Sequence, residues 1–162
     1  MKALKLKIPP LAQVLIAATV MYLVALFFPA FSFELPFSGH IATAFAFSGA
    51  SIALAGVASF RRAGTTVNPL APDAASSLVV SGIYRYTRNP MYLGMLAVLT
   101  GWWCYLHNLM ATPLLPLFVY AMNRLQIEPE EEILKQMFPE QYPLYTQQVG
   151  RWFGFKSAPS LH

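Results

Sequence analysis

Charge is what this chain has least of. Aspartate, glutamate, lysine and arginine make up 11% of its 162 residues, against about 25% in an ordinary soluble domain. A short chain that folds in water needs a large polar surface, so the shortfall counts against a free soluble domain. Cysteine is almost absent. Cys104 alone excludes an intrachain disulfide and a multi-cysteine zinc site, and its apolar surroundings read it as a small buried hydrophobe. His40, His107 and His162 are scattered without metal-ligand spacing, so no metal site is expected. No internal repeat or low-complexity tract is apparent. The net charge of +4 does not signal nucleic acid, because the basic residues flank apolar runs and do not cluster on a soluble face.

Apolar residues are abundant, at 56%, and they come in long runs. The first run, residues 10–33, follows three lysines. It contains about 20 apolar residues, enough to cross about 30 Å of hydrocarbon as a helix, so a retained span is expected over a cleaved signal peptide. The second, residues 40–60, ends at Arg61-Arg62, and its Gly49, Ser51, Ala53 and Gly56 suit close helix contacts. A polar loop from Arg61 to Asn89 leads to a third run over 90–106. After His107-Asn108 a fourth covers 109–126, with Pro113 and Pro116 near its start, where a kink is expected. The chain is then expected to turn soluble. Glu128 to Glu132 opens a helix whose acidic first turn suits the positive end of a helix dipole. Ile133, Leu134, Met137 and Phe138 give that helix a one-sided apolar stripe, continued by Tyr142, Tyr145, Val149, Trp152 and Phe153. The expected fold is all-α: one domain over residues 1–162, a polytopic membrane bundle of about four transmembrane helices with C-terminal amphipathic helices.

Lysine and arginine orient the bundle. All eleven fall in the N-terminus, the Arg61–Arg88 loop and the C-terminal segment, whereas the loops near Phe31–His40 and His107–Asn108 have none. An even number of spans with that asymmetry puts both ends on the cytoplasmic side, in a bacterial or archaeal inner membrane.

Two constellations on that side can carry chemistry. In the first, Ser81 to Gly94, Gly82 and Pro90 bend the backbone at the mouth of the third run. Pro90 suits the first position of a helix, Asn89 suits its cap, and neighbouring amides are left to face a ligand. The competing reading is a headgroup-level anchor of tyrosine and arginine. The second constellation, Arg124 to Glu132, puts four carboxylates in five residues. These read either as a solvated helix start or as partners for a ligand or for the arginines of the first loop.

The run Gly82-Ile83-Tyr84-Arg85-Tyr86-Thr87-Arg88-Asn89-Pro90-Met91-Tyr92-Leu93-Gly94 resembles the signature of small membrane methyltransferases. These are the isoprenylcysteine carboxyl methyltransferases and their bacterial phospholipid-methyltransferase-like relatives. Glu130-Glu131, Leu134, Phe138, Tyr142, Tyr145, Val149 and Arg151-Trp152 fit the second part of that pattern, and Gly64-Thr65 and Leu78-Val79 fit its lead-in. The resemblance covers roughly residues 60–153. It implies methyl transfer from S-adenosylmethionine to a lipophilic acceptor that enters from the bilayer. Carried over by position, Ser76, Ser77, Leu78, Val79, Tyr84, Asn89, Pro90, Met91, Tyr92, Gly94 and Glu130 would bind the cofactor. Arg88, Glu131 and Arg124 would be catalytic. Displacement at a sulfonium methyl needs alignment and desolvation more than acid–base power, which fits a site without an obvious general base.

The chain departs from the prenylcysteine branch twice. Asn89 stands where that branch has histidine, and Gln126 where it has an arginine that engages a carboxylate. Both count against a prenylcysteine acceptor and leave a lipid amine or another small lipophile. The alternatives are a small transporter subunit, disfavoured because no charged residue falls mid-span, and a non-catalytic membrane protein that binds lipid or a partner.

Overall fold

A computed structural model describes residues 8–64 and 77–154, and among these the chain is mainly helical, with an isolated backbone bridge between Ser32 and Asn108. The helices are α1 (Pro10–Phe27), α2 (Ser38–Arg62), α3 (Pro90–Leu106), α4 (Leu114–Met122), α5 (Glu128–Met137) and α6 (Gln141–Gln148). Short 3-10 turns lie at Pro29–Phe31, Gly82–Arg85 and Leu109–Ala111. Helices α1 and α2 are long and apolar enough to cross a membrane.

Proline sets several boundaries. Pro10 and Pro90 each open a helix at a position whose N–H would have no partner anyway. The first run ends earlier than its apolar length suggests, because Pro29 follows and the chain turns over Pro29–Phe31. Pro113 and Pro116 do not kink the fourth helix. It starts after Pro113, which puts Pro116 within its first turn, where no ladder bond is lost.

Between α4 and α5 the chain stays helical. A single π-helical turn, Asn123–Ile127, joins the two, and Ile127 and Glu128 both hold helical dihedrals. Pro129 gives the reason: it has no N–H for the bond to residue 125, and its ring crowds that carbonyl, so the helix widens by a turn. The acidic run therefore does not open a free helix, as the sequence suggested, but continues a rod from Leu114 to Met137.

α2 and α3 form the closest pair of the bundle. A Cβ built on Gly94 would strike the Gly49 carbonyl and lie 3.0 Å from Ala53 Cβ. One on Gly101 would lie 2.8 Å from Phe45 Cβ, and one on Gly56 3.0 Å from Pro90. Gly49, Ala53 and Gly56 thus make the close contacts expected of them, whereas Ser51 faces outward. Missing side chains let the backbones approach, which is how helices associate where water does not drive them together.

Two clusters make the core. Met21, Tyr92, Leu99, Phe118, Met122 and Ile127 join α1, α3 and the long rod. Val79, Tyr84, Tyr142, Tyr145 and Val149 form an aromatic second cluster where α6 meets the loop before α3. Outward faces carry large apolar side chains, among them Leu15, Ile16 and Phe27 of α1, Phe47 and Leu54 of α2, and Leu117 of α4. Such a belt suits a hydrocarbon surround better than water.

The ends of the bundle differ. At one, Asn108 is fully buried; its amide donates to Phe28 O at 2.9 Å and Ser32 Oγ at 3.3 Å and accepts from Met110 N. At the other, the start of α1 meets the rod where Gln126 Nε2 donates to Ile8 O at 2.6 Å. Gly94→Leu should force α2 and α3 apart and lower stability by about 1–3 kcal/mol, as overpacking typically does. Gly39→Ala, where a Cβ would meet nothing within 4 Å, is the control. Thermal unfolding in detergent reads both, and equal melting of Gly94→Leu and wild type would refute this contact.

Candidate functional site

The second end of the bundle holds the polar groups. Gly82, with φ of 63°, turns the chain in a conformation costly for any side chain. The following 3-10 turn buries Tyr84, whose ring meets Phe60 edge-on at 5.2 Å. Tyr145 OH donates to the Tyr84 carbonyl at 2.7 Å, which fastens α6 to this turn.

The C-terminal segment then closes over the start of α3. Arg88 N donates to Gly150 O at 3.1 Å, and Gly154 N donates to Tyr86 O at 3.1 Å. Thr87 Oγ1 reaches Arg151 O at 3.4 Å, and Asn89 Nδ2 donates to the same oxygen at 2.9 Å. Asn89 precedes α3, but its side chain makes no cap. Its amide is held by the Arg151 carbonyl instead.

Glu131 lies at the centre. Arg151 grips it with two bonds, Nε to Oε1 at 3.1 Å and NH2 to Oε2 at 2.7 Å. Arg88 NH1 approaches Oε1 at 3.1 Å, and the side chains of Arg88 and Glu131 are 9% and 11% exposed. A buried carboxylate between two guanidinium groups is the arrangement that tolerates loss of water, and deleting the carboxylate would strand the buried Arg88 cation. Arg88 NH1 also lies 3.2 Å from Tyr142 OH. Its Nε is buried without a hydrogen-bond partner.

One residue away, Glu130 accepts a very short hydrogen bond from Tyr92 OH. Burial pushes the Glu130 carboxyl up to about 8, and the neighbouring Glu131 charge adds to the rise while the Tyr92 bond opposes it. Burial also raises Tyr84, helped by Tyr145 and by Glu130. The adjacent side chains thus have different surroundings: Glu131 is gripped by two guanidinium groups, whereas burial favours the proton on Glu130.

The remaining candidates divide. Pro90 is buried and, with Met91, faces Gly56 of α2. Leu78 and Val79 join the aromatic cluster, Leu78 also lining a groove of about 280 Å³ with Val80, Gln141 and Leu144. Ser77 Oγ donates to Ala63 O at 3.4 Å. Gly94 abuts α2 at its closest approach. Arg124 stands apart: it pairs with Glu128 at 2.9 Å, its side chain half exposed, and lies over the Tyr120 ring. Ser76 and Thr65 lie outside the described residues. Arg151, Tyr142 and Thr87 belong to the cluster although the sequence assigned them no role. The signal that could have found Arg151 is the acidic run Glu128–Glu132 itself, whose clustered carboxylates call for cations.

Residues 37–141 match the phospholipid methyltransferase family, and the chain belongs to that family. The matched stretch runs from the start of α2 to the start of α6, so α1 and Arg151 fall outside it. A protein of Haemophilus influenzae described as uncharacterized is 37% identical over 62 residues, covering 38% of this chain and 98% of that protein. No solved structure matches.

The raised Glu130 carboxyl has a pH consequence. With a folded value near 8 and an ordinary unfolded value near 4.3, the folded state binds the extra proton. Its stabilising contribution is full below the unfolded value and is lost as pH rises through the folded one. Melting temperature should therefore fall between pH 5 and 8.5, and Glu130→Gln should flatten that slope. An unchanged slope in the variant would mean that Glu130 is ionised throughout.

Proposed function

We propose that the protein transfers a methyl group from S-adenosylmethionine to a lipid acceptor, a phospholipid amine or another small lipophile, at the cytoplasmic face of the membrane. One observation carries this reading. Tyr92 on α3 and Glu130 on the rod share a hydrogen bond one residue from the Arg88–Glu131–Arg151 cluster. Two segments far apart in sequence thus form one polar site at the end of an otherwise apolar bundle.

The residues present fit the methyl donor. Arg88 Nε, a buried N–H without a partner, suits a carboxylate. The Glu130 carboxyl suits an ammonium group, and the Tyr84 and Tyr92 rings suit a sulfonium cation or an adenine. When bound, the donor supplies a methyl carried on positively charged sulfur. The chain's own part is to align that methyl with the acceptor and to exclude water, and the closed flap of residues 149–154 suits the second task. Glu131 positions this flap through Arg151.

In this reading α3 and the apolar first part of the rod, up to about residue 126, cross the bilayer beside α1 and α2. That makes four spans, with both termini and all the lysines and arginines on the cytoplasmic side. A water-soluble donor then reaches the site from the cytoplasm while the bilayer delivers the acceptor.

Calorimetry on purified protein in detergent tests the reading. S-adenosylmethionine should bind at micromolar levels. Tyr92→Phe and Glu130→Ala should each weaken it about tenfold, the worth of one hydrogen bond to a charged group. No binding to the wild type would sink the reading, and full affinity in both variants would move the donor elsewhere.

A further inference from the structure

The arginines at the polar end of the bundle divide into two sets. Arg88, Arg124 and Arg151 each pair with a glutamate of the rod. Arg61 and Arg62, in the last turn of α2, and Arg85, in the turn before α3, are exposed. Among the described residues none of these three pairs with a carboxylate. The glutamates of this end lie elsewhere, on the rod at Glu128 to Glu132 and at Glu140 before α6.

The groove lined by Leu78, Val80, Leu144 and Tyr145 borders the unpaired set. Leu144 and Val80 are 60% and 44% exposed, large apolar side chains at the polar end. Three contacts join the groove to the arginines. Ser77 Oγ, next to Leu78, donates at 3.4 Å to Ala63 O, next to Arg62. The Tyr145 hydroxyl donates to the Tyr84 carbonyl, one residue from Arg85. The Tyr84 ring in turn meets Phe60, one residue from Arg61. The orientation of a span accounts for basic residues at its end. It does not account for Arg85 in a separate turn, or for apolar side chains left bare beside the cations. Water suits that combination poorly, whereas the boundary between headgroups and acyl chains suits both halves of it.

We propose that this surface holds an anionic phospholipid of the adjoining leaflet, its phosphate shared among Arg61, Arg62 and Arg85 and its apolar part against Val80 and Leu144. The proposal is independent of the methyl-transfer reading, since neither the Tyr92–Glu130 pair nor the Glu131 cluster takes part. Each guanidinium offers N–H donors in a fork that matches phosphate oxygens. A zwitterionic headgroup carries a phosphate too, but the same arginines repel its cation, so net negative charge is selected. Helix α2 is long and apolar enough to cross a membrane, so headgroups at its end reach Arg61 and Arg62 without a separate docking event. That favours lipid over an acidic protein. A lipid bound there ties α2, the Gly82–Arg85 turn and α6 together at the bilayer surface.

The test uses the full chain in detergent, with lipid binding read by native mass spectrometry. Phosphatidylglycerol and phosphatidylcholine with identical acyl chains are the probes, and glycerol 3-phosphate is a soluble competitor. The wild type should bind phosphatidylglycerol at least about tenfold more tightly than phosphatidylcholine. Arg61→Gln, Arg62→Gln and Arg85→Gln should each cut that ratio severalfold, and the triple variant should abolish it, with melting temperature unchanged. Lys135→Gln, which removes an equal charge from an exposed site on α5, should leave the ratio intact. Leu144→Ser should weaken both lipids alike and spare the ratio. A wild type without preference would overturn the proposal and leave the arginines to an acidic protein. Arginine variants that keep the preference, or a Lys135→Gln variant that loses it as they do, would overturn it in favour of net charge alone. Loss that comes only with a lower melting temperature would overturn it in favour of a structural role. Displacement of the lipid by glycerol 3-phosphate would assign the arginines to a soluble phosphate, and full lipid affinity in Leu144→Ser would remove the groove from the site.

Discussion

The carboxylate of Glu131, held between Arg88 and Arg151, is the interaction on which the functional end of this molecule depends. It joins three pieces of chain that share no secondary structure: the loop before α3, the rod that continues from α4, and the segment after α6. Arg88 and Glu131 are buried enough that neither charge is tolerable alone, and the part-exposed Arg151 completes the pairing. The backbone bonds from Arg88 to Gly150 and from Gly154 to Tyr86 depend on that closure, and so does the clasp of Asn89 on the Arg151 carbonyl. Without it, Tyr92 and Glu130 would open to water, and the raised affinity of Glu130 for its proton would relax.

A second constraint comes from the surroundings of the helices. Their outward faces are apolar while their mutual contacts are made by glycine and alanine, so backbone proximity holds α2 to α3. Among the described residues, charged side chains are thereby confined to the ends. One end is closed by Asn108 and its neighbours. The other carries the ion cluster and the buried Gln126. The π turn at Asn123–Ile127 connects these features. It absorbs Pro129 and lets one helix carry both Gln126 and the Glu130–Glu131 pair.

Much of this was legible in the sequence, because hydropathy runs, flanking arginines and helix-starting prolines act locally. Pro10, Pro90 and the small residues Gly49 and Gly56 did what their types dictate. The resemblance carried by Gly82 to Gly94 pointed to the family to which the chain belongs. What the sequence hid was non-local. Asn89 has the side chain of a helix cap, yet a carbonyl 62 residues away competes for its amide and wins. Glu128 to Glu132 reads as a helix start because nothing local shows that the preceding helix persists through a widened turn. Arg124 and Arg151 are alike as residue types, and only the fold sends one to the surface and the other to Glu131. Ile8 and Gln126 are 118 positions apart, and their bond exists only once α1 lies against the rod.

The measurement that bears most directly on the account is methyl transfer itself. Purified protein in vesicles of mixed phospholipids would be given S-adenosylmethionine with an isotopically labelled methyl group, and the extracted lipids analysed by mass spectrometry. The account predicts a labelled lipid that is absent when Glu130→Ala protein is used. Wild-type protein that binds the donor but leaves every lipid unlabelled would contradict it.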